Sequence, residues 1–141
     1  MTHSLPQLLQ EKGFRVTKGR VALLKLLETA SQPLSVHDIL TEWKGKAPDQ
    51  ATLYRSLADL SDAGIVHRIN FHSGTAYFEY APDRPHHHHI VCSECGVIEE
   101  IEECSVGTLQ KKLMRESTQF IKINAHILEF FGECKKCVAT T

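Results

Sequence analysis

Two Cys-x-x-Cys motifs constrain this chain more than any other feature. Cys92 and Cys95 form the first motif, and Cys134 and Cys137 form the second. Four thiolates at such spacing can surround one Zn²⁺ in a tetrahedron, and a closed site of this kind stabilises a fold and leaves no ligand position for a substrate. Because sulfur ligands favour zinc over Mg²⁺ or Ca²⁺, we predict a structural zinc site. The doubled motif argues against the alternatives, a redox dithiol or a chance pairing.

The composition is that of an ordinary globular protein. The chain has no apolar run near the roughly 20 residues that span a bilayer, and its N-terminus has no secretory pattern. We therefore expect a cytoplasmic protein without membrane association, in which paired cysteines bind metal. The net charge is −1, but five basic residues against one acidic residue lie between Met1 and Lys25. This local bias is sufficient to contact phosphates, but taken alone it is more simply explained by a solvated helix face.

The first unit, residues 1–80, has the pattern of helices followed by a β-hairpin. Thr17 and Asp49 stand where N-cap residues begin helices with apolar residues at helical spacing. Beyond the last helix the apolar period changes to two, which predicts strands at 65–71 and 75–80 joined by a turn. This order predicts a winged helix-turn-helix domain.

The third main helix of this unit has the features of a DNA recognition helix. Its leucines share one face, whereas Thr52 and Arg55 lie on the opposite face and Tyr54 lies on the flank. A short capped helix that presents an aromatic side chain and an Arg suits the major groove, where Arg is the commonest reader of guanine.

Residues 81–85 read as a stiff polar hinge, and residues 86–141 read as a second, small α/β unit. The pattern predicts strands at 90–92, 97–101 and 120–131 and a helix at 106–115. A unit of about 55 residues has a marginal apolar core, and a metal is a common remedy.

A run of four histidines opens the second unit. In an extended segment alternate side chains face opposite ways, so His87 and His89 point to one side and His86 and His88 to the other. A solvated histidine run is the alternative. Cys104, the fifth cysteine, lies at the start of a helix and is interpreted as a half-buried plain thiol.

Each pair of histidines needs further ligands to make a metal site. The first predicted site bridges the two units through His37, Glu79, His87 and His89. Mixed His and carboxylate ligands suit Fe²⁺, Mn²⁺ or Zn²⁺. The second predicted site combines His86, His88 and His126 with a carboxylate from the acidic run 99–103, in which Glu103 is our candidate.

These motifs together resemble the ferric-uptake-regulator family of metal-dependent repressors. Residues 13–20 and 49–66 resemble its DNA-binding signatures, residues 86–96 its metal-binding segment, and residues 132–137 its closing Cys-x-x-Cys. The resemblance implies a winged-helix domain, a hinge and an α/β dimerisation domain with structural zinc. It also implies a homodimer that binds a palindromic double-stranded DNA operator when regulatory metal is bound, with Arg15 reaching the minor groove or the backbone.

The chain departs from the family pattern at several positions. Gly107 aligns where the second site often takes a Glu, so Glu102 or Glu103 is expected to replace it. Zinc-sensing members often carry a Cys near Glu79, and none is present here. The resemblance therefore implies an Fe²⁺ sensor that controls metal uptake genes, with a zinc-uptake regulator as the alternative.

Two functions of other classes fit these motifs less well. A zinc hydrolase lacks a helical His-Glu-x-x-His motif and an open zinc position beside a general base, so no enzymatic activity is expected. A metal-storage or chaperone protein has no need of an outward-facing Tyr54 and Arg55.

Overall fold

The computed structural model describes residues 3–70, 74–82, 86–126 and 128–139. Contacts divide the chain into two compact units, Met1–Arg84 and Pro85–Thr141. The turn predicted at 72–74 and the hinge predicted at 81–85 both lie partly outside the described residues.

Four helices of the first unit begin at side-chain caps. The helices are α1 (Leu5–Glu11), α2 (Lys18–Thr29), α3 (Val36–Glu42) and α4 (Gln50–Asp62). The predicted caps are confirmed: the Thr17 hydroxyl accepts from the backbone N–H of Arg20, and the Asp49 carboxylate accepts from that of Thr52. Such bonds satisfy N–H groups that have no partner within the helix.

The strands of the first unit form one antiparallel sheet. Strands β2 (Val66–Asn70) and β3 (Ala76–Tyr80) make the predicted hairpin, and β1 (Leu34–Ser35) adds to its other edge in the order β1-β3-β2. A strand of two residues has no periodicity, so β1 could not be predicted. Helices followed by this hairpin make the winged helix-turn-helix that the sequence predicted.

A leucine-rich core holds the first unit together. Fifteen buried hydrophobic residues from all four helices and all three strands form one cluster. Leu53, Leu57 and Leu60 of α4 are each no more than 1% exposed. Their burial fixes the orientation of α4 and therefore directs its opposite face outward.

The second unit has a three-stranded sheet and two helices. Its elements are β4 (His88–Cys92), β5 (Ile98–Ile101), α5 (Val106–Glu116), β6 (Glu129–Gly132) and α6 (Lys135–Ala139). Strand β4 is central, antiparallel to β5 and parallel to β6. The fold class is therefore α+β, with a winged helix-turn-helix unit followed by a small α/β unit, as predicted.

The strand predicted over 120–131 is wrong for most of its length. Only residues 129–132 pair with β4, and the described part of 120–128 is irregular. Phe120 is 72% exposed and Ile121 is 97% exposed. Alternating apolar residues fit a strand, but a strand also needs a hydrogen-bonding neighbour, and the described residues of a single chain supply none there.

Few apolar side chains are buried in the second unit. Among its described residues, the buried hydrophobic set consists of Val91 and Cys92. Helix α5 buries none of its residues, and its Leu109 and Leu113 are about half exposed. No helix of the described chain has the length and apolar character needed to cross a membrane.

Candidate metal centres and nucleic-acid interface

The four cysteines of the two motifs converge as predicted. Cys92 and Cys95 flank the turn after β4, while Cys134 precedes α6 and Cys137 lies within it. The Sγ–Sγ distances are 3.8 Å between Cys92 and Cys137 and 3.7 Å between Cys95 and Cys134. With Zn–S bonds of about 2.3 Å, the edge of a tetrahedral site measures about 3.8 Å. The thiols are therefore spaced to hold one Zn²⁺.

Electrostatics at this cluster favour a cation. The backbone N–H groups of Cys95 and Cys134 point at the Cys92 sulfur and lower the pKa of that thiol to about 6. The crowding of thiols around Cys137, chiefly Cys134 and then Cys95, raises its pKa to about 12. Four sulfurs this close cannot all ionise unless a positive charge compensates them, which zinc supplies when bound.

A second cluster lies on one face of β4 and combines three imidazoles with a thiol. The Nε2 atom of His86 lies 3.1 Å from that of His88 and 3.2 Å from that of His126. The Sγ atom of Cys104 lies 3.6 Å from the Nε2 of His126. All four ligand atoms lie within 4.8 Å of one another. The predicted convergence of three histidines is present, with Cys104 as an added member.

The buried histidine of this second cluster favours its neutral form. Burial, followed by the neighbouring charges of His86 and His126, lowers the pKa of His88, although the hydrogen bond that its imidazole donates to the backbone carbonyl of Leu128 opposes the shift. Neutral imidazole is the form that binds metal. The predicted carboxylate of this site, Glu103, accepts a hydrogen bond of 3.0 Å from the Ser105 hydroxyl.

A third cluster in the second unit contains nitrogen and oxygen ligands. His87 and His89 share the other face of the histidine run, with ring centroids 4.9 Å apart. Glu100 of β5 is the cross-strand partner of His89, and its carboxylate lies 4.0 Å from the Nδ1 of His87. The ligand atoms of the three residues lie within 4.8 Å of one another. Their number leaves room for further ligands around a cation.

The two predicted ligands of the first unit occupy different environments. Glu79, on β3, is only 3% exposed, and its carboxylate lies 3.6 Å from the Nδ1 of His67. A hydrogen bond to Glu79 raises the pKa of His67, because the buried carboxylate favours the protonated imidazole. His37 is exposed near the start of α3.

The outward face of α4 carries the predicted DNA contacts. Tyr54 is 46% exposed, and Arg55 is exposed beside it. The hydroxyl of Thr52 donates to the Asp49 carboxylate at 2.8 Å and accepts from the guanidinium of Arg55 at 3.3 Å. These bonds connect the helix cap to the Arg and orient its side chain. A helix that presents Tyr and Arg to solvent suits the major groove.

Arg15 precedes α2 in a segment that its neighbours hold in place. Its backbone carbonyl accepts a 2.7 Å hydrogen bond from the Arg20 guanidinium, which also lies over the Phe14 ring at 5.5 Å. The Arg15 side chain itself is exposed. It is therefore available for phosphate or minor-groove contacts.

The sequence did not identify two members of these clusters. Glu100 was one of several glutamates in an acidic run, and Cys104 was interpreted as a plain thiol. The strand register brings Glu100 opposite His89, and period-two alternation of the acidic run was the available signal for it. For Cys104 no local motif exists, because its neighbours in the cluster lie far away in sequence.

Comparisons with known proteins agree with this arrangement. Residues 11–131 match the Ferric uptake regulator family. The ferric uptake regulation protein of Neisseria meningitidis serogroup A is 37% identical over 135 residues, which cover 93% of this chain and 91% of that protein.

Solved structures of such regulators are also similar. The Vibrio cholerae ferric uptake regulator has a TM-score of 0.78 at 30% identity, covering 92% of this chain and 98% of that one. The Francisella tularensis regulator, solved with iron, has a TM-score of 0.77 at 31% identity, covering 89% and 96%. The chain therefore belongs to the ferric uptake regulator family, and it is a metal-responsive transcription regulator and not an enzyme.

Proposed function

We propose that this regulator represses metal uptake genes in response to Fe²⁺, which it binds through His87, His89 and Glu100. The observation that carries the proposal is the donor set of this cluster, two imidazoles and a carboxylate without sulfur. Nitrogen and oxygen ligands suit Fe²⁺ and Mn²⁺, whereas thiolates select softer ions. The iron-containing structure of the Francisella tularensis relative supports the same choice.

We further propose that the first unit completes the site with Glu79 and His37. A buried carboxylate and a surface histidine are chemically suited to the ligand positions left by His87, His89 and Glu100. Ligands drawn from both sides of the hinge would fix the angle between the units. A cation can shift this equilibrium only by its preference for the closed state, typically about 1–3 kcal/mol, or roughly 5–150-fold in DNA affinity.

The partner proposed is palindromic double-stranded DNA, bound by a homodimer. The exposed apolar side chains of the second unit support dimer formation, because apolar patches of this kind mark protein interfaces. These exposed side chains include Leu109, Leu113, Phe120 and Ile121. A twofold dimer matches a palindromic operator, and we propose that each protomer places Tyr54, Arg55 and Thr52 in the major groove, with Arg15 nearby.

A matched pair of glutamate variants tests the regulatory site. In Glu100→Gln the carboxylate opposite His89 is lost, whereas in Glu99→Gln the neighbouring carboxylate, opposite Ile90, is lost. We expect Glu100→Gln to weaken Mn²⁺ binding in calorimetry at least about 10-fold and to remove the metal-dependent gain in DNA affinity. Glu99→Gln should behave like wild type.

His89→Ala provides a second test of the same site. It should also lose the metal response and retain the circular dichroism spectrum of the wild type. Equal metal responses in wild type, Glu100→Gln and His89→Ala would contradict the proposal. A response to trace Zn²⁺ that exceeds the response to Fe²⁺ would instead identify a zinc-uptake regulator.

A further inference from the structure

The cluster on the other face of the histidine run has a different donor set. His86, His88 and His126 each direct Nε2 into the cluster, and Cys104 contributes a sulfur. From this arrangement we infer that Cys104 is the fourth ligand of a closed His₃Cys zinc site. None of its four ligands belongs to the proposed iron site, so the inference stands independently of the proposed function.

The distances match a tetrahedral zinc site. With Zn–N bonds of about 2.05 Å and a Zn–S bond of about 2.3 Å, the N–N edges measure about 3.3 Å and the N–S edges about 3.6 Å. The N–N distances are 3.1 and 3.2 Å, and the distance from Cys104 Sγ to His126 Nε2 is 3.6 Å. These three edges agree with such a site, and all four ligand atoms lie within 4.8 Å of one another.

Two of the imidazoles are held in the orientation that metal binding needs. The Nδ1 atom of His126 lies 3.2 Å from the Gln110 side-chain amide, so that the protein engages this nitrogen and leaves Nε2 facing the cluster. His88 is 6% exposed and is hydrogen-bonded to the backbone of Leu128. Partners of this kind restrain the ring orientation of metal-binding histidines.

Cys104 can occupy the fourth ligand position, for which the predicted carboxylate is not in place. Gly107 of α5 has no side chain to offer a ligand, and the Glu103 carboxylate is engaged by Ser105. The Cys104 thiol lies one residue further along and is half-buried within the cluster. A thiolate in place of a carboxylate makes the site softer, and it therefore favours Zn²⁺ over Fe²⁺ and Mn²⁺.

Under this assignment, the two faces of the histidine run bind different metals. Alternate imidazoles of residues 86–89 serve a sulfur-containing site on one side and a sulfur-free site on the other. The chain then holds two zinc ions, one at the four-cysteine site and one at the His₃Cys site. Fe²⁺ or Mn²⁺ does not displace the second zinc, because the softer ligand set disfavours the harder ion.

Cobalt substitution tests this assignment with a spectroscopic readout. Protein carrying one zinc per chain is titrated with Co²⁺, and the thiolate-to-cobalt charge-transfer band is recorded in the near ultraviolet. We expect this band in the wild type and in Glu103→Gln, which removes the competing carboxylate. We expect the band to be lost in Cys104→Ser, because this substitution replaces only the sulfur by oxygen and so removes the thiolate from which the charge transfer arises.

Zinc counting by native mass spectrometry provides the second readout. At buffered free zinc the wild type should retain two ions per chain and Cys104→Ser only one, with affinity for the second ion lowered at least about 100-fold. A full charge-transfer band in Cys104→Ser, or two tightly held zinc ions in that variant, overturns the assignment. Loss of the second zinc in Glu103→Gln but not in Cys104→Ser would make Glu103 the ligand and would equally overturn it.

Discussion

Removing zinc from the four-cysteine site is expected to unfold the second unit and leave the first unit folded. The first unit has a fifteen-residue hydrophobic cluster, whereas the buried hydrophobic residues of the described second unit are Val91 and Cys92. A unit of this size with so little buried apolar surface depends on a metal for its stability. In such domains the free energy of metal binding is also the free energy of folding.

The expected loss of circular dichroism signal follows from the number of helical residues in each unit. In the described chain α1 to α4 contain 7, 12, 7 and 13 residues, together 39. Helices α5 and α6 contain 11 and 5 residues, together 16. Selective unfolding of the second unit therefore removes 16 of 55 helical residues, or about 30% of the helical circular dichroism.

Tryptophan fluorescence separates the two units in the same sample. The single tryptophan, Trp43, packs against the core of the first unit. We expect Cys137→Ser, which breaks the four-cysteine site, to lose about 30% of the helical signal while the Trp43 emission stays unchanged. Cys104→Ser is the matched control, and it should retain the helical signal because the four-cysteine site stays intact.

Two results would refute this reasoning. If Cys137→Ser retains the full helical signal, the folding of the second unit does not depend on zinc at the four-cysteine site. If it loses the whole helical signal together with a red shift of Trp43 emission, the two units unfold as one. Either result would contradict a first unit stabilised by its own core and a second unit stabilised by metal.

Three further predictions concern the DNA-binding face, the cap of α4 and the dimer. Arg55→Ala should weaken operator binding by about 1–3 kcal/mol, roughly 5–150-fold in Kd, in fluorescence anisotropy, with metal content unchanged; an unaltered Kd would exclude Arg55 from the interface. A backbone hydrogen bond from Thr52 lowers the pKa of Asp49 from 3.8, so its stabilisation is complete above that pH and is lost as pH falls through the lower folded-state pKa. Urea unfolding followed by Trp43 should therefore show a wild-type advantage over Asp49→Ala that shrinks below pH 3.8, and a pH-independent difference would argue against this linkage. Ile121→Glu should convert the dimer to monomers in sedimentation velocity, and a persistent dimer would place the interface elsewhere.

The elements of the first unit were predictable because their signals are local. Thr17 and Asp49 cap helices through residues three positions away, and the leucines of α4 repeat at helical spacing. The opposite orientation of neighbouring histidines also follows from strand geometry alone. Such features need no knowledge of distant parts of the chain.

The proposed ligands that the sequence missed, Glu100 and Cys104, depend on register and on long-range packing. A turn after Cys92 includes Gly96 with a φ of 77°, and it sets the register in which His89 faces Glu100. A shift of one residue in the pairing of β4 with β5 would place Glu99 instead of Glu100 opposite His89. The sequence of the acidic run therefore does not show which glutamate faces the histidines. Cys104 contacts His126, which lies 22 residues away in sequence, and no local sequence pattern predicts that contact.

The most direct test of the account is metal-dependent DNA binding by the zinc-containing wild-type protein. A palindromic duplex is first selected from a randomised library in the presence of Mn²⁺, and its affinity is then measured with Fe²⁺ under anaerobic conditions, Mn²⁺ and Zn²⁺ at buffered free concentrations. We predict that Fe²⁺ or Mn²⁺ raises the affinity roughly 5–150-fold at micromolar free metal, with no such gain from trace Zn²⁺. Equal affinity with and without metal, or full activation by trace Zn²⁺, would contradict an Fe²⁺-responsive regulator.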